Sequence, residues 1–345
     1  MTVAKRLIAA LRGAPQTPPP VWLMRQAGRY LPEYLATRAQ ARSFLDLCYN
    51  PELATEVTLQ PIRRFGFDAA ILFADILLLP HALGRRLWFE TGEGPRLEPL
   101  TTIEEVHALA EDAQMHAHLS PVYETVARLR EALPDETALI GFAGAPWTVA
   151  TYVIAGRGKD QQEGALALMR DRPAVFEALM KRLEDATCAY LIRQIDEGAE
   201  VVKLFDSWAG ALAGDVALFQ RWVVGPAARI VSRIRAERPD ALVIGFPRGA
   251  GELSSDFARE TRVDGLAFDE AVTAQWARDN LQPIVTVQGN LDPRLLVTGG
   301  SELDAGVDHL MQVLAAGPWI FNLGHGITPD ADPRNVERML RRIRG

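Results

Sequence analysis

Eight short apolar runs recur along the 345-residue chain, at 21–24, 69–73, 138–142, 200–205, 241–246, 264–268, 283–287 and 319–323, mostly bounded by polar residues, glycine or proline. Runs of this length that are continuously apolar, rather than alternating, mark strands buried on both faces of a parallel sheet. Between most of them lie amphipathic stretches long enough for crossover helices, such as 51–64, 173–197, 215–236 and 302–315. Strand and helix alternating in this way predict an α/β chain, a single-domain (β/α)8 TIM barrel with extra helices over residues 1–345. The long interval between Phe73 and Ala138 is where the additions would sit. An open doubly wound sheet is the structural alternative. It is weakened because the nearest glycine fingerprint, Gly156-Arg157-Gly158, has no glycine three residues further on, and no P-loop signature occurs.

Composition narrows the function. A net charge of −7 argues against a nucleic-acid binder, which needs a basic face for phosphates, so an anionic ligand must find a local basic cluster. Cys48 and Cys188 are too far apart in sequence to suggest a zinc cluster or a disulfide framework, which is compatible with a reducing compartment. The apolar stretch after Met1 is cut by Arg12, too short for a secretory signal, and a cytoplasmic protein is expected. The most apolar segment, 69–83, is interrupted by Asp75, Pro80 and His81, so no membrane insertion is expected. Glycine and proline are scattered without a linker-like tract, which favours one domain.

A polar or glycine-rich motif follows the carboxyl end of each run: Arg25-Gln26-Ala27-Gly28-Arg29, Asp75, Ala143-Gly144-Ala145-Pro146-Trp147-Thr148, Asp206-Ser207-Trp208-Ala209-Gly210, Pro247-Arg248-Gly249, Asp269-Glu270, Gly289-Asn290-Leu291-Asp292-Pro293 and Gly324-His325-Gly326. Barrel enzymes assemble their sites at this face, because loops from all eight units converge there over a rigid base. One shared pocket is expected.

Arg25, Arg29 and Arg38 form a dense cationic stretch in an acidic chain. Each guanidinium can hold a carboxylate through two charge-assisted hydrogen bonds, and at an effective dielectric near 20 the contact attraction is about 4 kcal/mol before desolvation. The plainer alternative is surface arginines paired with acids such as Glu33. Asp75 stands alone in an apolar run. Its carboxylate needs either backbone amides, as a helix cap, or a ligand's N–H groups or a cationic intermediate. Ser207 suits a helix cap as well as a ligand contact, and Tyr152, alone, reads as core or interface. His325, between two glycines, can be brought close to a ligand or can be a loop histidine bonded to backbone. His116 and His118 diverge if helical, and a metal site is not expected.

Taken together, the segments from Met24 to Tyr34, Gly141 to Tyr152 and Phe321 to Ile327 closely resemble the uroporphyrinogen decarboxylase family. The resemblance extends through Phe73-Ala74-Asp75-Ile76-Leu77, Phe205-Asp206-Ser207, Phe246-Pro247-Arg248-Gly249 and Gly289-Asn290-Leu291-Asp292-Pro293. It implies a homodimeric barrel, without metal or prosthetic group, that removes carbon dioxide from the four acetate side chains of uroporphyrinogen III, and of the I isomer, in haem and tetrapyrrole synthesis. It further implies that Arg25 and Arg29, in a loop whose Gln26, Ala27 and Gly28 also touch substrate, and Arg38, just outside that motif, contact substrate carboxylates. Asp75 gathers the pyrrole N–H groups, and Tyr152, Ser207 and His325 complete the site. The catalytic candidates are Asp75, Arg25, Arg29, Tyr152 and His325.

Two other functions fit parts of the pattern. Zinc-dependent methyl transfer from a corrinoid occurs in relatives of this barrel and uses His and Cys ligands at strand ends, which Val287-Gln288-Gly289-Asn290 lacks. A tetrapyrrole carrier would keep the pocket without turnover.

Overall fold

The computed structural model describes residues 5–90, 94–157 and 161–345; Gly158 of the glycine-rich sequence noted above lies outside them. Nine strands are present among these residues: β1 (Ala69–Ile71), β2 (Leu87–Glu90), β3 (Gly94–Leu97), β4 (Ala138–Gly144), β5 (Val201–Asp206), β6 (Leu242–Pro247), β7 (Gly265–Ala267), β8 (Thr286–Gln288) and β9 (Trp319–Ile320). Seven pair in parallel in the order β1-β4-β5-β6-β7-β8-β9, while β2 and β3 form an antiparallel hairpin. Every residue of β4 and β6 is buried, as their unbroken apolar character requires.

The run at 21–24 supplies the eighth stave, but not as a regular strand. The Phe321 N–H donates to Pro20 O (2.9 Å), the Asp68 N–H donates to Val21 O (2.9 Å), and Val21 bridges Phe321 in parallel, which joins β9 to β1 and closes the barrel. Beyond Trp22, whose N–H still donates to Phe321 O (3.4 Å), the ladder passes to side chains. The Leu23 N–H donates to Gln26 Oε1 (3.1 Å) and the Met24 N–H to Asn322 Oδ1 (3.1 Å). The proline run 18–20 supplies no N–H groups, and the left-handed backbone at Arg25 (φ 64°) turns the chain away, so the strand has no room to extend.

Two other expectations shift. The run at 283–287 begins its ladder only at Thr286, because the N–H groups of Ile284 and Val285 turn back to Leu281 O (2.9 and 3.0 Å) after Pro283. The single helix expected over 215–236 divides into Val216–Phe219, a π-helical turn Gln220–Val224, and Gly225–Glu237. Pro226 has no N–H and its ring crowds the carbonyl four residues back, so the hydrogen-bond register widens there.

The other predicted crossovers form close to the expected bounds, as Pro51–Phe65, Pro173–Asp196 and Gly300–Leu314. The first shows why. Asn50 Oδ1 accepts the Leu53 N–H (3.0 Å), Pro51 opens the helix, and Gly66 closes it at φ 60°, where a side chain would be strained. The interval after β1 holds the hairpin and the helices Ile103–His107 and Asp112–Ala132.

The barrel interior is filled by Trp22, Met24, Ile140, Ile244, Phe246 and Ile320, and the helix Arg6–Leu11 plugs its lower end with Leu7, Ala10 and Leu11. One charged-type residue lies in this filling. Lys203, fully buried, has its Nζ 4.8 to 5.1 Å from the ring centroids of Phe205, Trp22 and Phe246, with no hydrogen-bond partner among the described residues. Desolvation lowers its pKa well below the usual lysine value.

Candidate active site

The strand-end motifs meet at the carboxyl mouth of the barrel, and Arg25 is their hub. Its guanidinium is close enough to act electrostatically on Asp75, Tyr152 and His325, which arrive from the ends of β1 and β9 and from the helix Pro146–Ala155 after β4. A left-handed φ in a non-glycine residue costs about 1–3 kcal/mol and persists only where the surroundings enforce it. Here Gln26 does so. Its buried side chain accepts the Leu23 N–H and donates to Ala69 O (3.0 Å), pinning the loop to β1. With the Gln26 side chain committed, any ligand contact there falls to the main chain. Tyr30 braces the same loop by donating its hydroxyl to Gln26 O (2.8 Å).

The alternative in which the arginines pair with Glu33 does not hold, since Glu33 pairs with Arg64 (3.1 Å). Arg25, Arg29 and Arg38 have no acidic partner among the described residues. Arg25 and Arg29 are exposed, whereas Arg38 ends the helix Pro32–Arg38 and donates to Ala41 O (3.2 Å). Burial raises the Tyr34 phenol, and Arg38 and then Arg29 pull it back, so these two cations converge on Tyr34.

Both readings of Asp75 have substance. Its Oδ1 accepts the Leu77 N–H (2.8 Å) in the turn that leads into the helix Leu78–Ala82, a backbone amide partner although not a helix cap. Its other oxygen has no partner among the described residues. Desolvation lifts the Asp75 carboxyl above its ordinary range, while the Leu77 N–H and Arg25 oppose the rise. The group is thus poised to gain from a cation or from additional N–H donors.

Tyr152 stands opposite. Burial and then Asp75 raise its phenol above its usual value, keeping the proton on, and the Trp208 side chain and Arg25 moderate the rise. His325 is pushed down to about 4 by desolvation, Arg25 and Arg248, in that order, so at neutral pH it is an uncharged imidazole. The glycines around it serve close approach rather than unusual backbone angles. A Cβ on Gly324 would lie 2.5 Å from Glu270 Oε2, and one on Gly326 would meet the Arg25 stem.

Ser207 lines a cavity of about 360 Å³ with Trp208, Gly210, Arg248, Gly249, Asp269 and Glu270. The loop carrying it is held from behind. Thr148 Oγ1 donates to Asp206 Oδ1 (2.5 Å) and accepts the Trp208 N–H (3.0 Å), and Trp147 Nε1 donates to Trp208 O (2.9 Å). Desolvation lifts the Asp206 carboxyl to about 7, against the Thr148 hydrogen bonds. Asp206 and Arg248 are the functional candidates that the sequence motifs contained but did not single out. Both follow apolar runs, and only burial and partners separate them from their neighbours.

The remaining histidines lie elsewhere. His116 Nδ1 bonds the Tyr123 hydroxyl (2.7 Å), while His118 packs edge-on to His81, whose Nδ1 meets the Tyr49 hydroxyl (3.0 Å). The pair therefore diverges, as its spacing requires. Among the described residues no three His, Cys, Asp or Glu side chains are grouped to hold a metal ion, and both cysteines are buried and free. No helix among them is long and apolar enough to cross a membrane.

Comparison with known proteins adds independent findings. The family model described as uroporphyrinogen decarboxylase (URO-D) matches residues 2–345. A protein named uroporphyrinogen decarboxylase from Roseobacter denitrificans is 58% identical over 345 residues, covering 100% of both chains. One of the same name from Paracoccus denitrificans is 59% identical over 341 residues, covering 99% of each. Among solved structures, a methyltransferase from Methanosarcina mazei superposes with a TM-score of 0.80 at 18% identity, covering 98% of this chain and 97% of that one, a likeness of fold alone. A barrel whose strand ends gather the expected motifs, matched over its whole length at more than half identity, belongs to the uroporphyrinogen decarboxylase family.

Proposed function

We propose that this chain decarboxylates the four acetate side chains of uroporphyrinogen III, and of the I isomer, to give coproporphyrinogen. The observation that carries the reading is the convergence of Arg25 on Asp75, Tyr152 and His325 at the barrel mouth, in a member of this family.

The chemistry needs an electron sink, and the substrate contains one. Protonating a pyrrole ring carbon makes a cation. The acetate C–C bond then breaks, carbon dioxide leaves, and the bond's electron pair neutralises the ring as an exocyclic methylene. Protonation of that methylene and loss of the ring proton complete a methyl group. The net change is one proton taken up and one carbon dioxide released per acetate. Since the sink is the substrate's own ring, this route calls for no cofactor.

Asp75 is placed to stabilise the ring cation and to accept the pyrrole N–H groups. A carboxylate about 4 Å from that charge contributes about 4 kcal/mol at an effective dielectric near 20. Arg25, Arg29 and Arg38 hold carboxylates, and Ser207 and the backbone of Gln26, Ala27 and Gly28 help orient them. His325, neutral, serves as a hydrogen-bond donor and acceptor. As a proton donor to the ring, Tyr152 is chemically easier than Arg29, a very weak acid. We further propose that the chain works as one barrel domain and as a homodimer.

The methyltransferase likeness favours no second reaction, since Val287-Gln288-Gly289-Asn290 offers no His or Cys ligands. The test is anaerobic incubation with chemically reduced uroporphyrinogen III, then oxidation and separation by carboxylate number. Seven-, six-, five- and four-carboxylate porphyrins in sequence are expected. Substrate that is bound but unchanged would make the chain a carrier.

A further inference from the structure

The mouth has a second cationic wall. Eight staves surround the barrel in the order 20–24, β1, β4, β5, β6, β7, β8, β9, so β6 lies diametrically opposite the segment that ends at Arg25. Arg248 follows β6 directly. Its main chain is fixed, with its N–H donating to Asp206 O (3.0 Å) and its carbonyl accepting the Gly210 N–H (2.9 Å).

Its side chain is not. Nε is buried without a hydrogen-bond partner, and no carboxylate pairs with the guanidinium among the described residues, although Asp and Glu outnumber Lys and Arg 44 to 37. Two acids of the neighbouring strand ends are occupied. Asp206 holds Thr148, and Asp269 accepts the N–H groups of Gly249 (2.5 Å) and Ala271 (3.0 Å). Glu270 lies against Gly324 and acts on Arg294. The guanidinium borders the cavity that also exposes Ser207, and it bears on the same His325 ring as Arg25.

We infer that Arg248 is a substrate-binding residue that grips a carboxylate of the macrocycle across the mouth from Arg25, beside Ser207. The inference rests on the decarboxylase reading above. A buried donor left unpaired is costly, and a carboxylate accepts from the planar guanidinium fork through two parallel bonds. A macrocycle bearing carboxylates on all four rings also presents some of them to the wall opposite Arg25. Arg25 and Arg248 then define an axis across the pocket, and both bear on the His325 ring.

The experiment compares wild type, Arg248→Gln and Arg248→Lys. Carbon dioxide release by the wild type is measured first, and its absence defeats the parent reading whatever the variants do. With an active wild type, Arg248→Gln is expected to raise KM for uroporphyrinogen at least about tenfold, with a smaller fall in kcat, and Arg248→Lys is expected to recover part of the loss. The His325 titration midpoint, read by NMR on the free protein, is expected to rise in Arg248→Gln and return in Arg248→Lys, which checks that the cation faces that ring, while the KM against kcat split and the rescue by Lys test its grip on substrate. Coproporphyrinogen, which retains only propionates, identifies the carboxylate. Weakened binding of it by Arg248→Gln assigns a propionate, and unchanged binding beside a raised uroporphyrinogen KM assigns an acetate. A folded Arg248→Gln with wild-type KM overturns the inference, and if that variant does not fold, a wild-type KM in Arg248→Lys does the same.

Discussion

Replacing Asp206 by Asn tests the electrostatic picture of the loop behind Ser207. The carboxyl is buried, its acceptor role toward Thr148 can be kept by the Asn carbonyl, and it titrates near 7 in the fold against an ordinary 3.8. A folded pKa raised above the unfolded one means that the folded state binds the extra proton. The stabilisation is therefore complete below about pH 3.8 and is lost as pH rises through 7. The slope is about 1.4 kcal/mol per pH unit while the proton is held and halves at pH 7, so the loss is about 2.3 kcal/mol between pH 5 and 7 and about 2.6 kcal/mol by pH 8. Asn cannot titrate, so the difference in unfolding free energy between variant and wild type should move by that amount in favour of the variant from pH 5 to pH 8. Urea unfolding of both proteins at half-unit pH intervals measures it. The infrared carbonyl stretch of a protonated carboxyl, present in wild type at pH 5 and missing in the variant, gives a second reading. Parallel stability curves for the two proteins would refute the argument, for then Asp206 is ionised in the fold despite its burial.

Three further outcomes follow from the same geometry. Asp75→Asn is expected to lower kcat by about 10²- to 10³-fold while KM changes by less, because the lost attraction of roughly 4 kcal/mol acts chiefly on the cation formed during reaction; an equal loss in binding of the unreacted macrocycle would contradict that assignment. His325 should titrate near pH 4 by NMR, moving toward 6.5 in Arg25→Gln, and as a group with a lowered folded pKa it should cost stability as pH falls from 6.5 to 4. Lys203→Met should preserve the fold and raise unfolding stability by about 1–3 kcal/mol, since it removes a buried donor with no partner at nearly constant volume; a loss of stability would reveal an acceptor for Nζ inside the barrel.

The sequence alone determined the repeating alternation of strand and helix, and with it the barrel and the face where the site forms. That information is local, because unbroken apolar runs of strand length can only be buried on both sides. It also pointed to Asp75, Tyr152 and His325 as candidate site residues through motif resemblance. It named the run at 21–24 as a stave but not its irregular form, in which backbone bonds at Pro20, Val21 and Trp22 give way to the Gln26 and Asn322 side chains. The resemblance named Arg25 and Arg29 as well, but their spacing by itself did not separate them from ordinary surface arginines. That distinction depends on Glu33 turning to Arg64, a residue 31 positions away. Arg248, Asp206 and Lys203 carry the same lesson. Charge is written in the chain, but whether a charge is paired, buried or left facing a pocket depends on which distant segments pack around it, and only the tertiary structure decides that.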